Sequence, residues 1–300
     1  MHKCKTSGSD STPVRKATII DTLQRKTLTA AIDALIRQSS AEMVAVAFHD
    51  LATGDEVMIR AEERVHPAST IKLAVLAEAF HQAQQGGVRL DERIPLNYTF
   101  TSNGPGAPPF TLTTDLDSEK TLYDRPGDSE TIRELCRLMI VRSSNLATNL
   151  LYDRLGVDAV NAYMREVGAG DLLLRNHLQD IKAFQTGETN LANARALADL
   201  LTRLAEKRLV SEAASEEMID ILRGQEFKEG IPAGLPPHTP VAHKTGSFTR
   251  IYHDAGIVYP PGDRPPYVLV VLTKGIADIT EVQKLVAEIS ERIYTAAIAL

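Results

Sequence analysis

Three hundred residues, 43% hydrophobic and 24% charged, make an ordinary globular composition, long enough for a large core and for one or two domains. A net charge of −6 and a pI near 5.8 argue against nucleic acid or an anionic membrane as partner, since both attract basic surfaces; no run reaches the roughly 18 apolar residues of a membrane span. Two cysteines, Cys4 and Cys136, are too few for a disulfide framework or a metal cluster.

Residues 1–26 are polar and charged, with neither the apolar stretch of a secretory signal nor an ordering pattern; they read as a disordered segment of a chain that, as written, is not exported. From Leu28 to Ile36 apolar positions recur at helical spacing, so a helix opens the fold. Met43–Phe48 and Val57–Ile59, separated by a loop containing Gly54, read as a hairpin. A helix then runs from Ser69 to Gly86-Gly87, where two glycines stop it. Leu90 to Asp128, with Gly104-Pro105-Gly106 and Pro108-Pro109, reads as an irregular surface excursion bordering the site.

Thr131-x-x-Glu134 fits a capping box for a helix through Ile132, Leu135, Cys136 and Met139, which delivers Ser143 at its end. Asn145 starts the next helix, stopped by Gly156, and another runs from Asp158 to Val167. After the Pro- and Gly-rich bridge Gly230–Pro240, strands are expected at Val241–Phe248, Ile251–Tyr259 and Tyr267–Thr273, then an amphipathic helix through Val282, Leu285, Val286, Ile289 and Ile293. Strands at both ends and helices between them predict a discontinuous α/β sheet domain, 27–70 with 225–300, and a mostly helical domain, 71–224, with the site between them.

One stretch gathers chemistry. In His66-Pro67-Ala68-Ser69-Thr70-Ile71-Lys72-Leu73, Pro67 ends what precedes it, and from Ile71 onward the run is apolar on nearly every side, as in a helix buried all round. Ser69 then sits at the helix N-terminus, with Lys72 about one turn along the same face. A serine hydroxyl becomes a good nucleophile when a neighbouring base takes its proton, and burial pushes a lysine toward the neutral form that can do so. Backbone N–H groups at a helix start also stabilise an oxyanion. From this four-residue pattern alone, Ser69 reads equally as a helix cap.

Two further motifs accompany it: Ser143-Ser144-Asn145, 74 residues after Ser69 (143 − 69), and Lys244-Thr245-Gly246, 101 residues after Ser143 (244 − 143). In this order and spacing the chain resembles the class A β-lactamases and penicillin-binding proteins, whose motifs read S-x-x-K, S-D-N and K-T-G. The resemblance covers roughly Leu28 to the C-terminus. It implies an α+β fold, an α/β sandwich whose antiparallel sheet is flanked by helices and joined to an all-α domain. It also implies a serine hydrolase that opens β-lactam rings through an acyl-serine intermediate. The alternative is a penicillin-reactive D-Ala-D-Ala peptidase or esterase with slow deacylation. A non-catalytic binding module of the same fold comes third, and the full set Ser69, Lys72, Ser143 and Lys244 argues against it. No cofactor is implied, and His238 and His243 lack partners at zinc spacing. The expected partner is a small-molecule β-lactam or D-Ala-D-Ala-like peptide, bound by a monomer. Members are usually periplasmic or secreted, against which stands the lack of a signal sequence here.

By the same resemblance Ser69 is the acylated nucleophile, Lys72 its proton acceptor or relay, and Ser143 the donor of a proton to the departing lactam nitrogen. Lys244 places positive charge near the substrate carboxylate and Ser143, and Thr245 and Ser247 offer that carboxylate hydroxyls. Gly246 lets the strand approach the substrate, Asn145 orients a substrate amide or the Lys72 ammonium, and the N–H groups of Ser69 and Ser247 form the oxyanion hole. Arg250 is a weaker carboxylate-binding candidate. His66, His243 and His253 read as packed structural residues. The second motif departs from its family at Ser144, where an aspartate is usual. The carboxylate that activates water for deacylation, in an E-x-x-L-N context, has no counterpart between Leu172 and Thr189. There Gln179 cannot accept a proton usefully and Asp180 could, although Asp180 is expected instead to form a structural ion pair with Arg175; Glu166 and Glu188 flank the segment and match nothing.

Overall fold

The structure is a computed structural model that describes residues 22–298; Cys4 and most of the polar N-terminal segment lie outside them. Helix α1 (Thr22–Gln38) begins a turn and a half before Leu28. Its extra turn is held by a polar contact that apolar periodicity does not register, the Arg25 guanidinium on Asp55 at 2.5 Å. Strands β1 (Met43–Asp50) and β2 (Glu56–Ile59) form the expected hairpin, Phe48 opposite Val57. Helix α2 (Lys72–Gln85) is entered through a 3-10 turn over Ala68–Ile71 and closed by Gly86 in the left-handed conformation that glycine adopts without strain.

The segment from Leu90 to Asp128 is more than a surface excursion. It contributes to two short ribbons, β3 (Arg93–Pro95) paired with β6 (Ser129–Thr131), and β4 (Thr99–Phe100) paired with β5 (Phe110–Thr111). It also buries Phe100, Leu112 and Leu122, which fall at no regular period and so mark no element in the sequence. Helix α3 (Ile132–Val141) opens with Thr131 Oγ1 accepting from the Glu134 N–H at 3.2 Å, as the capping box predicts. There follow α4 (Asn145–Leu155), α5 (Val157–Glu166), α6 (Ile181–Gln185), α7 (Ala194–Ala205) and α8 (Glu212–Arg223). Strands β7 (Val241–Phe248), β8 (Ile251–Val258) and β9 (Tyr267–Lys274) precede the closing helix α9 (Ile279–Ile298).

The main sheet runs β2-β1-β9-β8-β7, every neighbour antiparallel. Because side chains alternate across a strand, Val44, Val46 and Phe48 of β1 and Leu269 and Val271 of β9 meet Leu28 and Ile32 of α1 and Leu285, Val286 and Ile289 of α9 on one face. Ala45, Ala47, Val268, Val270 and Leu272 point the other way, into the core shared with Leu197, Leu200 and Leu201 of α7. Both faces being covered, these strands read as nearly continuous apolar runs. Every residue of α2 from Lys72 to Phe80 is buried, so the lysine begins a helix whose first two and a half turns have no solvent face. Among the described residues no helix is long and apolar enough to cross a membrane.

Candidate active site

Edge strand β7 lies against the 3-10 turn that carries Ser69. A β-carbon on Gly246 would stand 3.0 Å from Pro67 O and Ser69 N and 3.1 Å from Thr70 N. The glycine therefore lets the strand approach the serine's own backbone, a contact different from the approach to substrate that the motif suggests. The turn is fastened by Thr70 Oγ1 donating to Pro67 O at 2.7 Å and by the Ala68 N–H donating to His66 Nδ1 at 3.1 Å. Ala68 sits at φ 46° and Ser143 at φ 56°, left-handed conformations that cost a residue with a β-carbon and that cluster at functional sites. His253 Nε2 meets His66 O at 3.0 Å, and burial lowers the His253 imidazole to about 4; His243 Nδ1 meets Asp254 Oδ1 at 2.9 Å. Both of these rings are packed structural groups. His66 stacks on Phe248, ring centres 5.2 Å apart, and lines the cavity beside Ser69.

Two buried lysines converge on Ser143. Lys72 Nζ donates to Ser143 O at 2.7 Å, Ser143 Oγ at 3.2 Å and Asn145 Oδ1 at 3.0 Å. Lys244 Nζ donates to Ser143 Oγ at 3.0 Å and to Thr245 O at 2.9 Å. Burial pushes Lys72 down to about 7, the Asp117 carboxylate opposing the shift. Lys244 is lowered by burial and then by the charge of Lys72, with Asp254 opposing. An amine with an ordinary pKa near 10 is always protonated at neutrality, whereas one near 7 exchanges protons readily. A hydroxyl has two acceptor positions and one proton, so Ser143, whose acceptor positions face the lysines, has its proton free to point elsewhere. Lys72 lies one turn from Ser69 as the spacing predicts, but its hydrogen bonds among the described residues go to Ser143 and Asn145.

Both polar atoms of the Asn145 amide take part in this arrangement, its Nδ2 donating to Leu116 O at 2.8 Å. The cap of α4 is Ser144, whose Oγ accepts from the Ala147 N–H at 3.1 Å. That hydroxyl also donates to Asp117 Oδ2 at 3.1 Å, and Asp117 is a buried carboxylate that sequence reading passed over because no motif surrounds it.

The loop between α5 and α7 is clamped by α4. Asn149 Oδ1 accepts from the Leu178 N–H at 2.8 Å, Asn149 Nδ2 donates to Leu178 O at 3.0 Å, and His177 Nε2 meets Asp153 Oδ1 at 2.7 Å. The clamp presents Gln179, at φ 67°, to the space around Ser69 and Asn145. Asp180 does not pair with Arg175. Its carboxylate caps α6 through the Ala183 N–H at 3.1 Å and accepts from Ser102 Oγ and the Asn103 N–H, both at 2.7 Å, while Arg175 pairs with Glu188 at 3.3 Å. Five positions along an irregular loop do not put two side chains on one face, which is why closeness in sequence misleads here.

Ser69, Ser143, Asn145, Thr245 and Ser247 line one open cleft of about 560 Å³. Arg250 takes no part in it; its guanidinium is held by Gly275 O at 2.9 Å and by Glu42 at 3.0 Å. Among the described residues no group of three or more His, Cys, Asp or Glu side chains is placed to hold a metal ion.

The sequence model of the beta-lactamase enzyme family matches residues 27–297. A beta-lactamase of Streptomyces fradiae is 30% identical over 244 residues, which cover 80% of this chain and 76% of that protein. A mutant of PBP-A, solved as an acyl-enzyme complex with penicillin G, superposes with a TM-score of 0.78 at 25% identity, covering 96% of this chain and 100% of that one. An ancestral class A beta-lactamase reconstructed for Gram-negative bacteria gives a TM-score of 0.76 at 27% identity, over 90% of this chain and 99% of that one.

Proposed function

The chain belongs to the beta-lactamase enzyme family, and on that premise we propose that it is a serine hydrolase that opens β-lactam rings through an acyl intermediate on Ser69. The observation that carries the reading is Ser143 Oγ held between two buried lysines beside the Ser69 cleft. A neutral Lys72 keeps two of its N–H donors, and the lone pair that replaces the third serves the Ser69 proton. As Ser69 Oγ bonds to the lactam carbonyl carbon, the C–N bond breaks and the nitrogen takes a proton from Ser143, replenished from Lys72. The Ser69 and Ser247 N–H groups stabilise the oxyanion, Thr245 and Ser247 receive the substrate carboxylate, and Lys244 adds positive charge behind them.

A second reading, a penicillin-reactive peptidase or esterase with slow deacylation, is favoured by one observation. The residue facing Ser69 from the loop is Gln179, and the nearby Asp180 carboxylate is taken up by Ser102, Asn103 and Ala183. Mixing the protein with excess benzylpenicillin while following protein mass and released product together separates the readings. A transient adduct with many equivalents of product is the outcome for the β-lactamase. A lasting adduct with about one equivalent consumed identifies the slow enzyme, and neither adduct nor product overturns both.

A further inference from the structure

The Ser143-Ser144-Asn145 turn lacks an acid at its middle position, yet a carboxylate from elsewhere in the chain occupies the space beside it. Asp117 Oδ2 accepts from the Leu146 N–H at 2.7 Å, from Ser144 Oγ at 3.1 Å and from the Tyr123 hydroxyl at 3.1 Å; its Oδ1 accepts from the Glu119 N–H at 3.0 Å. Its neighbours close the grip. Leu116 O accepts from Asn145 Nδ2 at 2.8 Å, and Ser118 Oγ donates to Arg142 O. Three consecutive residues thus hold the chain on both sides of Ser143, the one residue of the turn in a left-handed conformation.

We propose that Asp117 is a positioning residue for acylation. It stands in space for the acid absent at Ser144, keeps Ser143 Oγ between Lys72 and Lys244, and supplies negative charge beside Lys72. The proposal rests on the acylation chemistry assigned above to Ser69 and Lys72. Lys72 faces Lys244 from β7 and Asp117 from the loop, its remaining partners Ser143 and Asn145 being neutral. Asp117 itself faces the Tyr123 phenol, which burial and then this carboxylate push up, so it stays a neutral donor. Glu119, the next acid along the chain, is engaged by Thr121 and Arg142. Asp254 acts on Lys244 from β8.

Asp117 favours the protonated form of Lys72, so deleting its charge lets the amine become neutral at lower pH. The test measures the second-order rate of benzylpenicillin acylation by intact mass across pH for the full chain, for Asp117→Asn, and for an exchange variant carrying Asp117→Ser with Ser144→Asp. In the unsubstituted protein the acid limb should lie near 7, where Lys72 titrates. Asp117→Asn should lower the plateau about tenfold and move the limb down by roughly one pH unit. The exchange variant, which returns a carboxylate to the Leu146 N–H and suits the cap position of α4, should bring the limb back to within about half a unit.

An Asp117→Asn profile that falls at every pH without moving overturns the role of Asp117 and leaves the acylation reading standing. An unsubstituted chain that never forms an adduct overturns both. Where Asp117→Asn does not fold, the exchange variant decides alone: acylation with an unshifted limb supports the proposal. Loss of acylation in a folded exchange variant, or its failure to fold, overturns the equivalence of the two positions.

Discussion

Gly246 shows how closely the surroundings of Ser69 are packed at the level of single atoms. The three nearest atoms that a β-carbon would meet belong to the backbone of Pro67, Ser69 and Thr70, and backbone cannot swing aside as a flexible side chain can. Gly246→Ala should therefore displace the turn and lower the acylation rate at least about tenfold, with a fall of a few degrees in melting temperature. Acylation kinetics and a thermal melt check this together; an unchanged rate would mean that strand and turn part without moving Ser69. The Lys244-Thr245-Gly246 motif marks the glycine in the sequence, but only the fold identifies the surface it meets. The same holds for Lys72. Its neighbourhood of apolar helix residues announces burial, and a pKa near 7 is the consequence, whereas its hydrogen bonds to Ser143 and Asn145 come from 71 and 73 positions away and leave no local trace.

At the level of elements, the loop after α5 behaves as an extension of α4. Asn149 and Asp153, one turn apart on that helix, grip Leu178 and His177, so the position of residue 179 is set by a helix and not by the loop's own sequence. Gln179→Glu keeps the size of the side chain and the existing backbone, and places a carboxylate in the cleft beside Ser69. It should shorten the lifetime of the benzylpenicillin adduct by about a hundredfold, the scale of a positioned general base. A lifetime that does not change would show that residue 179 fails to reach the ester. Periodicity and caps made several elements legible: the hairpin, the Thr131 capping box and the three late strands lie where expected, while α6, α7 and α8 are not separately expected from the sequence. The Leu90 to Asp128 segment was not legible, because its buried residues Phe100, Leu112 and Leu122 follow no period, and its carboxylate Asp117 acts across 27 residues of chain.

Taken as a whole, the molecule builds its site on a seam. Ser69 comes from the 3-10 turn before α2 and Lys72 from the start of α2, Ser143 from the turn between α3 and α4 and Asn145 from the start of α4, and Lys244 to Ser247 from the sheet's edge strand β7. Stretches separated by 74 and 101 residues meet there because α2 is buried in the helical layer while β7 lies against the turn that precedes it. Those motifs were legible because each carries its own residue chemistry at a recurring spacing. Their supports were not, because Asp117, Asn149 and the backbone around Pro67 act through space. Acylation at Ser69 is tested most directly by intact mass with peptide mapping after excess benzylpenicillin, on the unsubstituted chain and on Ser69→Ala. One adduct, mapped to Ser69, is expected on the first and none on the second, with closely similar melting temperatures. Labelling that persists in folded Ser69→Ala would contradict it.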